Sequence, residues 1–269
     1  MKYAAACVHI KDEEDIIQEW MAFHLAVGFE HLFIIDNGSS DNTKHIIKSF
    51  CDHDRVTYLF QPKGIPAEFS TIFIKNYGDD FRWMAFIDAD EFMYPSDGND
   101  IRATLSQYED VSGIGVYWQI YGSAGHETKP NGLAIENFNM RAKPDYYINR
   151  HVKSIVDPSK VIGPIGSHIF HLSGDFVDEL RRPLHFGPPH GYFEEMTPSH
   201  DILRINHYHV RSREQYNRKR KRGYFGIDDA KLQQSEERFE SMWNAHNINE
   251  EFDDSASKYS RLVNFYMQK

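Results

Sequence analysis

The 269-residue chain is predicted to form an α/β domain on a largely parallel sheet, and three observations carry that expectation. Short apolar runs alternate with helix-patterned segments between residues 3 and 87, in the order β-α-β-α-β-α-β. The runs are apolar along most of their length, as strands covered on both faces are. The segments that follow three of them, 11–15, 36–42 and 88–91, are rich in carboxylates and turn residues. Open parallel sheets bind ligands at the carboxyl ends of their strands, where these three loops would converge.

Each element has a local reason. Residues 3–10 read as a buried strand, and KDEED then opens a helix with acids where its dipole favours them. In residues 16–27 the apolar Ile16, Ile17, Trp20, Phe23, Leu25 and Val27 follow helical spacing, and Gly28 stops the helix. HLFIID (31–36) is the second strand, and NGSSDNT (37–43) turns and caps a helix over 43–50. Strands over 56–60 and 83–87 flank a helix over 67–77. Beyond residue 100 come a helix at IRATLSQY, a strand over 113–122, a polar loop and a helix over 132–141. Hairpin-like pieces follow over 143–206, then a basic helix over 211–223 and a tail predicted as polar and helical. No linker forces a boundary, so a single domain over 1–269 is expected, with segments 1–100, 101–223 and 224–269.

Composition bounds the function. A hydrophobic content of 41% and a charged content of 26% are ordinary for a folded soluble domain. The formal charge of −10 argues against nucleic acid as a partner, since phosphate contacts need positive faces. With two cysteines, Cys7 and Cys51, no disulfide framework is implied and a reducing, cytoplasmic setting is expected. No apolar run approaches the ~20 residues of a membrane span, and the N-terminus lacks the pattern of a signal peptide.

FRWMAFIDADEFMYP (81–95) places Asp88, Asp90 and Glu91 directly after a buried strand. Carboxylates at a core edge are costly unless something positive or hydrogen-bonding meets them. An Asp-x-Asp at a strand end suits Mn²⁺ or Mg²⁺, which takes one or two carboxylates plus phosphate oxygens. A solvated turn is the competing reading of such a triplet, and the neighbouring polar loops weigh against it.

Here the sequence resembles the nucleotide-sugar glycosyltransferases of the GT-A fold, closest to the family-2-like and family-92-like groups. The resemblance rests on Glu19-Trp20, Phe23-His24 and Gly28, on Asp36, Asn37 and Ser39, and on Asp88, Asp90 and Glu91. It continues through Trp118, Gly122, Ser123, Gly125 and His126, and through INHYHVRSREQYNRKRKRG near the end. It implies a GT-A-like nucleotide-binding sheet covered by helices, with a C-terminal hairpin-rich and helical part. It also implies a metal-dependent, inverting glycosyltransferase moving a sugar from a nucleoside diphosphate sugar, a UDP-sugar in the first instance, to a glycan or lipid-linked acceptor hydroxyl.

Carried over residue by residue, the resemblance assigns His9, Lys11, Asp12, Asp36 and Asn37 to the nucleotide. Where Asn37 stands, relatives often carry Asp. Asp88 serves ribose or metal, and Asp90 is the main metal ligand. A C-terminal histidine joins it: His207, with His209 and His168 as alternatives. Arg211 is placed to reach the diphosphate. Arg213 and the run 219–222 read as a solvated helix face, with peripheral contact to an anionic membrane surface through helix 211–223 as a further expectation. For the base that takes the acceptor's proton the expected residues are Glu136 and then His126, with Glu127 nearby. Trp118, Tyr117 and Tyr121 offer stacking faces or core. Three rivals remain. A nucleotidyltransferase would show a Gly-rich phosphate loop that VHIKDEED lacks. A binding module without turnover and a carboxylate-based hydrolase are separated by nucleotide binding.

Overall fold

The computed structural model describes residues 1–50, 53–185, 191–221 and 236–268. Along the chain run β1 (Lys2–Ile10), α1 (Ile17–Val27), β2 (His31–Asp36), α2 (Thr43–Ser49), β3 (Val56–Phe60), α3 (Pro66–Tyr77), β4 (Phe81–Phe86) and β5 (Glu91–Pro95). Next come α4 (Ile101–Leu105), β6 (Gly113–Ile120), α5 (Ala134–Asn137), β7 (Met140–Arg141), β8 (Val152–Val156), β9 (Val161–Pro164), β10 (Phe170–Leu172) and β11 (Phe176–Asp178). The chain closes with β12 (Leu203–His207), α6 (Arg213–Lys221), α7 (Glu236–His246), β13 (Glu251–Phe252) and α8 (Ser260–Gln268).

The main sheet has the order β3-β2-β1-β4-β8-β6-β12-β5, with β11 also beside β6. Its first four strands are parallel, β8 is antiparallel to both β4 and β6, and β12 is parallel to β6 but antiparallel to β5. The pairings Ile10↔Asp36 and Asp36↔Phe60 bring the ends of β1, β2 and β3 to one edge. Phe86↔Ser154 sets the start of β8 beside the end of β4, and His207↔Glu91 sets the end of β12 opposite the acidic turn. This mixed, helix-covered sheet agrees with the GT-A-like α/β architecture implied by the sequence.

Helix α1 is buried nearly all round, with Ile17, Trp20, Met21, Phe23, His24 and Leu25 hidden. Such a helix needs cover on both sides, and α8 supplies it on the face away from the sheet, with Val263 buried. Gly28 ends α1 at φ +113°, and a Cβ there would lie 2.5 Å from Asp100 Oδ1, so both conformation and space require glycine.

The structure differs from the sequence expectations in four places. The predicted helix over 132–141 shortens to α5, because the chain turns at Phe138 to form β7 against β13. Glu91, expected in the loop 88–91, instead begins strand β5. The basic helix begins at Arg213, and the expected Arg222–Gly223 end lies outside the described residues. The predicted polar tail packs onto the domain through Phe239, His246, Tyr259 and Val263, all buried. Cys7 is a buried free thiol, and Cys51 lies outside the described residues. Among the described residues no helix is long and apolar enough to cross a membrane.

Candidate active site

The loops after β1 and β2 are laced together. Asp12 stands at φ +51°, and its carboxylate accepts the N–H groups of Ser40 (2.6 Å) and Asp41 (3.3 Å), while its own N–H donates to Ser39 Oγ (2.9 Å). Asp36 is fully buried and accepts from the Ser39 N–H (2.7 Å) and the Tyr58 hydroxyl (2.6 Å). Asn37 donates to the Gln61 carbonyl (3.0 Å). Three of the residues expected to hold the nucleotide thus shape the loops at the sheet edge. His9 lies between Phe69 and Asp88, with Nε2 3.9 Å from the Asp88 carboxylate. Lys11 sits at the end of β1, half-buried.

The acidic turn is braced from behind. The Trp20 indole N–H donates to the carbonyls of Asp88 (3.0 Å) and Glu91 (3.1 Å), and the Asp88 N–H donates to Glu91 Oε2 (2.8 Å). His24 holds α1 to β5 by accepting the Met93 N–H (3.2 Å). Glu19, fully desolvated, reaches across to accept the N–H groups of Ala134 (2.7 Å) and Ile135 (3.0 Å) at the start of α5. The Glu-Trp and His positions of the sequence motif are therefore buried supports of the site.

Lys153 meets the acidic turn from β8. It is fully buried, with Nζ 2.7 Å from Asp88 Oδ2 and 3.6 Å from Glu91 Oε1. Burial works against the ammonium, but Asp88 and Glu91 outweigh it and hold the Lys153 pKa above its ordinary value. Burial likewise lifts a carboxyl at Asp88, yet Lys153, His9 and His168 bring it well below the usual range. Glu91, fully hidden and beside Asp88 and Asp90, is pushed up instead. The sequence reading missed Lys153; the signal was a lone lysine inside the apolar run of VKSIV.

Asp90 faces a second set of partners. His207 Nε2 lies 3.6 Å from Asp90 Oδ1 and His209 Nδ1 3.9 Å from Asp90 Oδ2, and the Lys219 ammonium is bonded to Oδ2. One donor atom from each of Asp90, His207 and His209 falls within 4.8 Å of the others. The charge states suit a cation: burial lifts the Asp90 carboxyl, but Lys219, His207 and His209 outweigh it and leave it well below the ordinary carboxylate range, while burial drives His209 far down and His246 to about 4. Metal ligands must be ionised carboxylate and neutral imidazole. His207 Nδ1 is buried with no hydrogen-bond partner. Two nitrogens and one oxygen fit Mn²⁺ better than Mg²⁺, which prefers oxygen throughout.

The expected ligands sort accordingly. Asp90 and His207 come together with His209, whereas Asp88 is directed to Lys153. His168 turns its Nδ1 to the Val152 carbonyl (3.1 Å) and its ring to Trp118. The His246 ring of α7 packs tilted against that of His209 with centroids 4.2 Å apart, a neighbour no sequence pattern marked. Trp118 is buried, its ring 4.3 Å from that of His207 and stacked on His151 at 4.7 Å. Tyr117 and Tyr121 are core.

A cavity of about 300 Å³ opens beside the cluster at Lys219, lined by the carboxylates of Asp12, Glu13, Glu14, Asp15 and Asp41 as well as by Arg211, Gln215, Arg218 and Lys219. Arg211 is buried at φ +52°, its Nη2 3.7 Å from Glu13, and its Nε and Nη1 have no hydrogen-bond partner. A strained backbone and an under-satisfied guanidinium mark a group kept for something other than packing. The reading of the basic segment as a solvated face needs correction at Arg213 and Lys219, while the side chains of 220–222 lie outside the described residues. Lys219 pairs with Asp90, Arg218 with Asp15 (2.9 Å) and Arg213 with Glu240. These pairings leave less free charge for a membrane surface than the sequence alone implied.

The expected bases stand apart. Glu136 is exposed on α5, and His126 packs edge-on to Phe138 with ring centroids 5.7 Å apart; neither has a described contact with Asp90, His207 or Lys219. A second cavity of about 490 Å³, whose lining includes Ser123, Glu127, Arg213, Glu240, Trp243 and Asn244, lies at the His126 loop.

Comparison with known proteins adds the family. The profile of glycosyl transferase family 2 matches residues 8–162. A glycosyltransferase family 92 protein of Ricinus communis is 26% identical over 180 residues, 63% of this chain and 32% of that protein. One of Oryza sativa subsp. japonica is 27% identical over 176 residues, 62% of this chain and 29% of that protein. The chain therefore spans about a third of the length of these relatives. Among solved structures, S. aureus TarS residues 1–349 aligns at 17% identity with a TM-score of 0.40, covering 59% of this chain and 48% of that one. On the profile match, over more than half its length, the chain belongs to glycosyl transferase family 2.

Proposed function

We propose that this domain transfers a sugar from a nucleoside diphosphate sugar, a UDP-sugar, to a hydroxyl of a glycan or lipid-linked acceptor, with inversion and with a divalent metal at Asp90. The single observation that carries the reading is the Asp90–His207–His209 cluster opening beside the cavity that holds Arg211, whose Nε and Nη1 have no hydrogen-bond partner. When bound, the metal supplies Lewis-acid charge to the departing diphosphate. Arg211 adds paired N–H donors, the geometry that suits phosphate oxygens. Asp88, held by Lys153, keeps an oxygen on the ligand side for a ribose hydroxyl. His9, Lys11, Asp12, Asp36 and Asn37 form the rim that receives the nucleoside, and the first two supply side chains beside it. On the acceptor side, the Trp243-lined cavity beside Glu127 offers an aromatic face and amides for a sugar. The base assignment to Glu136 or His126 then requires the acceptor to bridge from that loop.

The test is release of UDP from a panel of UDP-sugars with Mn²⁺, with and without added oligosaccharide acceptors. Metal-dependent release that Asp90→Asn abolishes supports the transferase. Tight UDP binding with no release from any sugar favours the binding-module reading, for which the isolation of Glu136 and His126 from the cluster is the supporting observation.

A further inference from the structure

The metal position proposed above already has a cation against it. The Lys219 ammonium is bonded to Asp90 Oδ2, and it lies 3.3 Å from His209 Nδ1 and 3.4 Å from the His209 carbonyl oxygen. Asp90 Oδ2 and His209 Nδ1 thus face the ammonium that a divalent ion would have to replace. Lys219 is rooted on α6 and lines the same cavity as Arg211 and Arg218. Its side chain is largely buried, at 17% exposure, so its charge is confined to the Asp90–His209 pair and the cavity beside it.

We infer that Lys219 is an exchangeable internal cation: it neutralises Asp90 when no metal is bound, and on metal binding it swings within the cavity to take a phosphate oxygen of the donor. This rests on the donor-site reading given above. Three physical points support it. A buried carboxylate left without a cation is costly, so Asp90 needs a partner in every state. An ammonium and a divalent ion cannot both sit on Asp90 Oδ2 and His209 Nδ1 without strong repulsion. A lysine is a compact point charge on a flexible stem, suited to changing partners over a few ångströms in a way a planar guanidinium is not. Metal and nucleoside diphosphate then bind in a coupled manner, because each stabilises the arrangement the other requires. No covalent step is involved.

Mn²⁺ binding separates this inference from the reading it rests on. Free Mn²⁺ is counted by electron paramagnetic resonance in titrations of wild type and Lys219→Met, each with and without UDP. Circular dichroism checks that the variant is folded, and Lys219→Arg serves as a second variant that keeps the charge. Removing the competing ammonium is expected to tighten Mn²⁺ binding in the absence of UDP by about tenfold. The gain in Mn²⁺ affinity caused by UDP is expected to shrink in Lys219→Met, and Lys219→Arg is expected to bind Mn²⁺ no more tightly than wild type. If Lys219→Met binds Mn²⁺ alone no better than wild type while UDP still tightens Mn²⁺ in both, the exchange is wrong and the donor site stands. If UDP binds both proteins and Mn²⁺ binds neither, Lys219 is a fixed replacement for the metal and the exchange is again wrong. If neither Mn²⁺ nor UDP binds wild type, the donor-site reading itself fails.

Discussion

The Lys153 ammonium lies 2.7 Å from Asp88 and 3.6 Å from Glu91, and no part of the lysine side chain reaches solvent. Replacing it by Met leaves the buried Glu91 and the partly exposed Asp88 without that cation, and because solvent screens Asp88 the loss falls below the about 3–5 kcal/mol of a broken, fully buried pair. Urea denaturation of Lys153→Met is expected to show that loss, with part of it recovered in Lys153→Met/Asp88→Asn. The pH dependence has a definite sign. Lys153, held above its ordinary pKa, contributes at every pH below the lysine range and loses that contribution only as pH rises past it. Asp88, held low, contributes above the ordinary carboxylate range and loses it as pH falls below about 4. Equal urea midpoints for wild type and Lys153→Met at pH 7 would remove Lys153 from this role.

Glu19 gives a slope opposite to that of Asp88. Burial lifts its carboxyl to about 7 despite the two backbone N–H donors it accepts. A group raised in the folded state contributes fully below its unfolded pKa and loses that contribution as pH rises through the folded value. Wild type is expected to lose stability between about pH 4.5 and 7 from this group, on the order of 3 kcal/mol, and Glu19→Gln to lack that part of the slope. Urea midpoints measured across this range for both proteins check it.

Trp20 joins the Glu-Trp motif to the turn that carries Asp90, the proposed metal ligand. Trp20→Phe keeps the ring packing but leaves the carbonyls of Asp88 and Glu91 without their shared donor. The expected cost is about 1–3 kcal/mol, seen as a lower melting temperature, together with weaker Mn²⁺ binding as the turn bearing Asp90 loosens. A variant with a lower melting temperature and unchanged Mn²⁺ affinity would show that the brace serves stability alone.

Arg211 is buried, strained and under-satisfied, a combination that an anion would resolve. Arg211→Met is expected to weaken UDP binding about ten- to a hundredfold, the loss of charge-assisted hydrogen bonds. Uridine, which carries no phosphate, is expected to bind wild type and variant alike in competition titrations. A parallel loss for uridine would assign Arg211 to the shape of the pocket.

The first four strands and the helices between them were legible because continuous apolar runs punctuated by Gly28 and NGSSDNT leave few alternatives. Asp90 and His207 were legible from motif order. The brace by Trp20 and the cation at Lys153 were not, because each depends on pairing between distant segments: Phe86 with Ser154 carries Lys153 to the acidic turn. His246 was hidden for the same reason, since α7 reaches His209 only in the folded chain. Lys219 looked like one more charge in a basic run, and only the closure of α6 over Asp90 sets it apart. The ion pair of Asp88 with Lys153 was hidden in the same way.

Calorimetric titration of UDP into wild type and Asp90→Asn, with and without Mn²⁺, bears most directly on the claim that Asp90 holds a metal–diphosphate site. Wild type is expected to bind UDP tightly only with Mn²⁺, and Asp90→Asn to lose that dependence together with most of the affinity. Mn²⁺-dependent binding that survives in Asp90→Asn, or no UDP binding by wild type under either condition, would overturn it.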